Sequence, residues 1–108
     1  MGAFPTWVAP VQVKVLSLTD RTAERAKEIE AMLNAMDYRA ESDTRNEKVG
    51  FKIREAQNER VPYMLVIGDK ELESGDVAVR ERGKGDIGAM SLDAFIAMLK
   101  EKVDTRAL

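Results

Sequence analysis

The chain has 108 residues, 44% of them hydrophobic and 33% charged, with 17 Lys and Arg against 19 Asp and Glu, the scale of one domain with one core rather than a disordered chain. It contains neither His nor Cys, which excludes a disulfide framework, thiolate zinc, Fe–S clusters, a cysteine nucleophile and a Ser-His-Asp triad. No apolar run approaches the ~20 residues that span a bilayer and no signal-peptide pattern opens the chain, so a soluble cytoplasmic domain without a membrane partner is expected.

Two of the three prolines, Pro5 and Pro10, lie in residues 1–10. Each fixes its own φ and pushes its predecessor out of the α region, so an extended linker is expected over 1–10 and the domain proper over 11–108. Phe4 and Trp7 are too apolar for a free tail and are expected to pack. Val11, Val13 and Val15 alternate with Gln12, Lys14 and Leu16 ahead of Ser17-Leu18, a β-branched period of two that makes a first strand. Thr19-Asp20 reads as a helix N-cap. Ala23, Ala26, Ile29, Leu33 and Met36 then form one apolar stripe opposite Glu24, Arg25 and Glu28, an amphipathic helix.

A short strand is expected over 38–43 and a second helix over 47–59, with Val49, Ile53 and Ala56 on one face. Pro62 marks its stop. The run Tyr63-Met64-Leu65-Val66-Ile67, closed by Gly68-Asp69, suits a strand buried on both faces. After Gly75, Val77-Ala78-Val79-Arg80 forms a strand, Gly83-Lys84-Gly85 a turn, and 86–90 a last short strand. Ser91 caps a final helix on which Leu92, Phe95, Ile96, Leu99 and Val103 hold the apolar spacing. The order is α/β: a mixed sheet of about five strands flanked by three helices, parallel at its start and closed by an antiparallel hairpin.

No autonomous active site emerges. Gly83-Lys84-Gly85-Asp86-Ile87-Gly88 spaces its glycines suggestively, but no helix opens after it, so it reads as a hairpin loop rather than a phosphate fingerprint. Asp20 reads as a cap, and Glu71 and Glu73 as solvated charges beside a turn. Charge placement says more. Residues 20–43 carry a balance of −3 and residues 44–60 one of +2, with Arg80, Arg82 and Lys84 as a second basic group. Residues 78, 80 and 82 share one strand face, so both arginines point the same way. Strand and second helix can present a basic edge to a phosphate backbone. On composition alone a solvated surface of mixed sign is the better reading.

Several segments, in this order, carry a resemblance. They are Phe4-Pro5-Thr6-Trp7 with Ala9-Pro10-Val11-Gln12-Val13, then Arg45-Asn46-Glu47-Lys48 with Gly50 and Lys52-Ile53-Arg54-Glu55. Val61-Pro62-Tyr63-Met64-Leu65-Val66, Gly68-Asp69-Lys70-Glu71, Val77-Ala78-Val79-Arg80 and Gly88-Ala89-Met90-Ser91 follow. Over residues 2–103 the chain resembles the C-terminal anticodon-binding domain of bacterial threonyl-tRNA synthetases, class II enzymes.

The resemblance implies a five-stranded mixed sheet flanked by helices, and a threonine tRNA anticodon loop as partner. Loop bases can be splayed and read on their Watson–Crick edges. It places anticodon contacts on Asn46, Lys48, Glu71 and Arg80, with Arg60 close by. A Glu71 carboxylate can accept from guanine N1–H and N2–H. Arg80 can donate to base oxygens or a phosphate through a planar fork that lysine lacks. Asn46 matches the O4 and N3–H of uracil, while Lys48, Arg54 and Arg60 suit the backbone. No cofactor is implied in these residues: ATP and zinc belong to a catalytic core, the second partner, which lies outside this chain. The chain should therefore bind tRNA and not aminoacylate. The alternative is a freestanding α/β protein-interaction domain of the same superfamily that lacks RNA binding.

Overall fold

The computed structural model describes residues 11–104, with side chains through residue 102. The linker expected over 1–10, with Phe4 and Trp7, lies outside the described residues, as does the Val103 side chain. Alternating valines make β1 (Val13–Ser17), and all five of its residues are buried. That follows from its place between two parallel neighbours. β1 pairs with β2 (Ala40–Asp43) on one side and β3 (Tyr63–Ile67) on the other. β3 continues antiparallel into β4 (Asp76–Glu81) and β5 (Gly85–Ser91), giving the order β2-β1-β3-β4-β5. The mixed sheet, its parallel start and its closing hairpin agree with the expectation.

The crossover from β1 to β2 runs one way and that from β2 to β3 runs back over β1. Crossovers of one hand then set their helices on opposite faces. Accordingly α1 (Asp20–Ala35) buries Ala26, Ile29 and Leu33 against Val13, Val15, Leu65 and Ile67. α4 (Leu92–Asp104) adds Leu92, Phe95 and Leu99 to the same core, with Phe95 edge-on to Tyr63 at 5.7 Å. On the other face α2 (Val49–Asn58) packs Ala56 and Ile53 on Leu16, Met64 and Val66. One helix cannot cover five strands. The α2 side of β4 and β5 is left without a helix, and this is where a groove forms.

Three local expectations are corrected. There are four helices among the described residues, not three, because α3 (Asp69–Ser74) follows β3 where a turn was expected. The cap of α1 is Thr19, whose N–H donates to the Thr22 hydroxyl at 3.2 Å, and Asp20 is the first helical residue. α2 starts at Val49 with Lys48 as its N-cap residue, two positions later than expected; Asn46, the cap a helix from residue 47 would have used, instead lines a cleft. Ser91 does cap α4, its hydroxyl accepting from Ala94 N–H at 3.1 Å.

α1 and α2 both end in a Schellman arrangement without glycine. Asp37 (φ 69°) and Arg60 (φ 61°) take the left-handed position. Arg60 N–H then bonds Gln57 O, and Val61 N–H bonds Ala56 O.

Candidate nucleic-acid interface

Three clefts join end to end along α2. The first, about 250 Å³, opens where β1 and β2 end, among Leu18, Thr19, Thr44, Asn46, Glu47 and Lys52. The second, about 200 Å³, shares Leu18 with it and runs between Val49 and Ile53 of α2 and Val66, Ala78, Arg80 and Asp86 of the sheet. The third, about 310 Å³, shares Arg80 and continues past Gln57 and Met64 to Arg82, Gly83 and Gly85 in the β4–β5 hairpin. The groove begins at the carboxyl ends of parallel strands, beside the point where the crossovers reverse direction, the usual ligand position in an open α/β sheet.

Asn46 is held in the first cleft by a rigid loop. Arg45 bonds both carboxylate oxygens of Asp43, at 2.9 and 2.7 Å, also bonds Glu55, and lies over the Phe51 ring at 5.7 Å. Hydrogen bonds from Arg45 hold the Asp43 carboxyl below the usual carboxylate range, against a burial that alone would raise it. The same contacts, Asp43 first and then Glu55, raise the pKa of Arg45. Beneath the loop Lys52 is only 2% exposed, its ammonium donating to Ser17 O at 2.8 Å and Asp43 O at 3.2 Å. Burial pushes the Lys52 pKa down, opposed in part by the Asp43 charge. At the other end of α2, Lys14 pairs with Glu59 at 3.0 Å and Glu41 at 3.4 Å. Burial alone would lower the Lys14 pKa, but hydrogen bonds to Glu59 and Glu41 outweigh it and raise it.

Arg80 is the hinge of the groove. It faces Met64 in the β3 register, hence the α2 side of the sheet. A β-bulge between Val79 and Arg80 sets Asp86, not Ile87, opposite it, and bulges of this kind re-aim side chains. Its Nε is buried with no hydrogen-bond partner, and its guanidinium enters no ion pair among the described residues. Lys48, Arg54, Arg60 and Arg82 enter none either, whereas Lys14, Arg45 and Lys84 are paired to carboxylates. The basic character of residues 44–60 is thus smaller at the surface than the count suggested, since Lys52 is buried and Arg45 neutralised.

Glu71 is the third residue of α3, where its Oε1 accepts from Gly68 N–H at 2.8 Å. That capping role replaces the solvated loop charge expected from sequence. It also fixes the carboxylate beside Leu18. A Cβ built on Gly68 would lie 2.7 Å from Leu18 Cδ1 and 3.0 Å from Glu71 Oε1, so the ends of both side chains crowd the Gly68 backbone. Asn46 and Arg80 therefore line one groove, and Glu71 stands at its Leu18 junction. Lys48 starts α2 as an exposed side chain, while Arg54 on the outer face of α2 and half-buried Arg60 beyond its end do not line the clefts.

Sequence reasoning missed Leu18, Lys52 and Gln57. Leu18, a large side chain left 43% exposed directly after a buried strand, was the one with a readable signal.

Residues 8–102 match a family described as an anticodon binding domain. The chain is 56% identical over 107 residues, 99% of its length, to a threonine–tRNA ligase of Desulforamulus reducens, of which it covers 17%. It is 54% identical over 105 residues, 97% of its length, to a threonine–tRNA ligase of Clostridium novyi, covering 16%. The chain thus spans about a sixth of the curated relatives it matches. Its fold superposes with a TM-score of 0.89, at 32% identity, on the crystal structure of the RNA-binding domain of threonyl-tRNA synthetase from Cryptosporidium parvum, covering 94% of this chain and 26% of that one. The chain belongs to the anticodon-binding domain family.

Proposed function

We propose that this chain is the anticodon-recognition domain of a threonine–tRNA ligase, and that its groove along α2 receives the anticodon loop of a threonine tRNA. The observation that carries this is Arg80, a half-buried guanidinium with an unpartnered Nε in the middle of a groove that Arg82, also without an ion pair among the described residues, lines beside it. Such a donor needs an acceptor, and RNA brings phosphate and base oxygens. Membership of the anticodon-binding family supports a tRNA in that role.

In this reading Glu71 accepts the N–H groups of the anticodon guanine with the oxygen its cap leaves over, and Asn46 reads uracil. Arg80, which lines both the second and third clefts, donates to a base oxygen and to the backbone, while Lys48, Arg54 and Arg60 hold phosphates along the α2 side. The role requires no cofactor in these residues. Zinc in particular does not fit a chain without His or Cys. ATP, threonine and aminoacyl transfer are assigned to a catalytic domain of the parent ligase, a cytoplasmic enzyme, against which this domain would dock.

The test is equilibrium binding of the chain to a threonine tRNA anticodon stem-loop and to the same loop with its guanine replaced. The cognate loop should bind more tightly by roughly 1–3 kcal/mol, the scale of one bidentate base contact. Equal binding to both loops would remove the anticodon reading and favour a protein-docking domain.

A further inference from the structure

We propose that the third cleft, between the last turn of α2 and the β4–β5 hairpin, is a separate phosphodiester subsite in which Arg80 and Arg82 clamp the RNA backbone beyond the bases read at the Asn46 end. This rests on the RNA-binding reading above.

Arg80 is the fifth residue of β4 and Arg82 the first residue after the strand, and both line the third cleft, so their guanidinium groups can reach different oxygens of one phosphate. Arg82 is half-buried, and its N–H bonds Pro62 O at 2.8 Å, which pins the backbone while leaving the side chain over the cleft. Neither guanidinium has an acidic partner among the described residues.

The acidic residue between them does not cancel the charge. Glu81 lines the same cleft, but it pairs in register with Tyr63, whose ring packs on Phe95 in the α1 core. It is also paired to Lys84 at 3.3 Å. Asp86 stands opposite Arg80, but it lines the second cleft and its Oδ1 accepts from Gly88 N–H at 2.8 Å.

The rim carries no bulk. Gly83 and Gly85 adopt φ of 85° and 79°, and no other residue approaches within 4 Å of where a Cβ would stand, so a sugar-phosphate chain can lie against bare backbone. Gln57 closes the α2 side with an amide and Met64 forms the floor. Two guanidinium groups without acidic partners among the described residues, a lining carboxylate already paired to Lys84 and a glycine rim describe a phosphate site.

The experiment measures binding of the 108-residue chain and its Arg82→Gln variant to anticodon stem-loop RNA across a salt series. A second set of loops carries one neutral methylphosphonate at successive positions. Arg82→Gln should flatten the slope of log K against log salt by about 0.7, one single-strand phosphate contact. It should weaken low-salt affinity several-fold and leave the preference for the guanine-bearing loop unchanged, because phosphate contacts position and do not specify. One methylphosphonate should weaken the parent chain more than the variant, in which Arg80 is the remaining contact to that phosphate. An unaltered slope and affinity, or an altered base preference, in a variant that melts like the parent overturns the subsite. Loss of base preference in the parent chain with the methylphosphonate effect intact would overturn the anticodon reading and leave the clamp standing.

Discussion

The ammonium of Lys52 lies 2.8 Å from the carbonyl oxygen of Ser17, and through it α2 grips the end of β1. A second bond to Asp43 O reaches the end of β2. The cation thus closes the sheet edge from which Leu18 and the Asn46 loop depart, and it does so from a buried position that burial alone disfavours.

Lys52→Met keeps most of the volume but strands the Ser17 carbonyl and leaves Asp43 O with the Ser17 hydroxyl at 3.3 Å alone. Hydrogen bonds to charged groups contribute roughly 1.5–3 kcal/mol, and orphaned buried acceptors add to the loss. Urea denaturation should show a fall of about 2–4 kcal/mol on that scale. Amide exchange should speed up in residues 44–48 before it does in β3. A variant as stable as the parent, with unchanged exchange there, would remove Lys52 as the support of the loop.

Arg60 separates stability from binding. It occupies a left-handed position that L side chains adopt at a cost of roughly 1–2 kcal/mol, where glycine is the usual residue. Arg60→Gly should therefore raise stability by about 1 kcal/mol in thermal unfolding. The same change should weaken anticodon stem-loop binding and reduce its salt dependence. Unaltered binding would leave Arg60 a capping residue only.

What sequence could reveal divides along physical lines. β1, β3 and α4 were legible because Val13 and Val15, Tyr63 to Ile67, and Leu92, Phe95 and Leu99 repeat at the strand or helix period they bury. α3 was not. It has six residues with half-buried Leu72 as its apolar contact, and one and a half turns cannot display a period. Lys52 read as another surface cation because the carbonyls that satisfy it lie 9 and 35 residues away. Alternation set Arg80 and Arg82 on one strand face; both line one cleft, but β4 ends at Glu81 and Arg82 lies in the turn after it. Their freedom from carboxylates, and the cleft they share with Gln57, depend on α2 covering β1 and β3 but not β4.

The ionisable core gives opposite pH limits. Desolvation pushes the Tyr63 phenol up to about 12 from its reference 10.0. Between those values the unfolded chain has lost a proton that the folded chain keeps, so stability falls as pH rises, by about 2–3 kcal/mol in total. Lys14, also raised, acts in the same direction at high pH. Absorbance of the Tyr63 phenolate should appear only near pH 12, and Tyr63→Phe should flatten that part of the stability profile. Asp43 acts at the other end. Its folded pKa is depressed, so its contribution is complete above the reference 3.8 and is lost as pH falls toward the folded value. Asp43→Asn should make acid unfolding shallower while lowering stability at neutral pH.

Glu71 performs two tasks that one substitution can separate. Its Oε1 caps α3 through Gly68 N–H, and the proposed reading assigns the remaining acceptor to guanine. Glu71→Gln keeps a carbonyl oxygen for the cap, so stability should change by less than about 1 kcal/mol. An amide cannot accept from both N1–H and N2–H of guanine, because its NH₂ can only donate. Guanine preference should drop roughly tenfold or more, the scale of 1–3 kcal/mol for a bidentate base contact. Glu71→Ala should lose the preference and also about 1 kcal/mol of stability with the cap. If Glu71→Gln binds the cognate and the guanine-replaced loops in the parent ratio, Glu71 is a helix cap and guanine is read elsewhere in the groove.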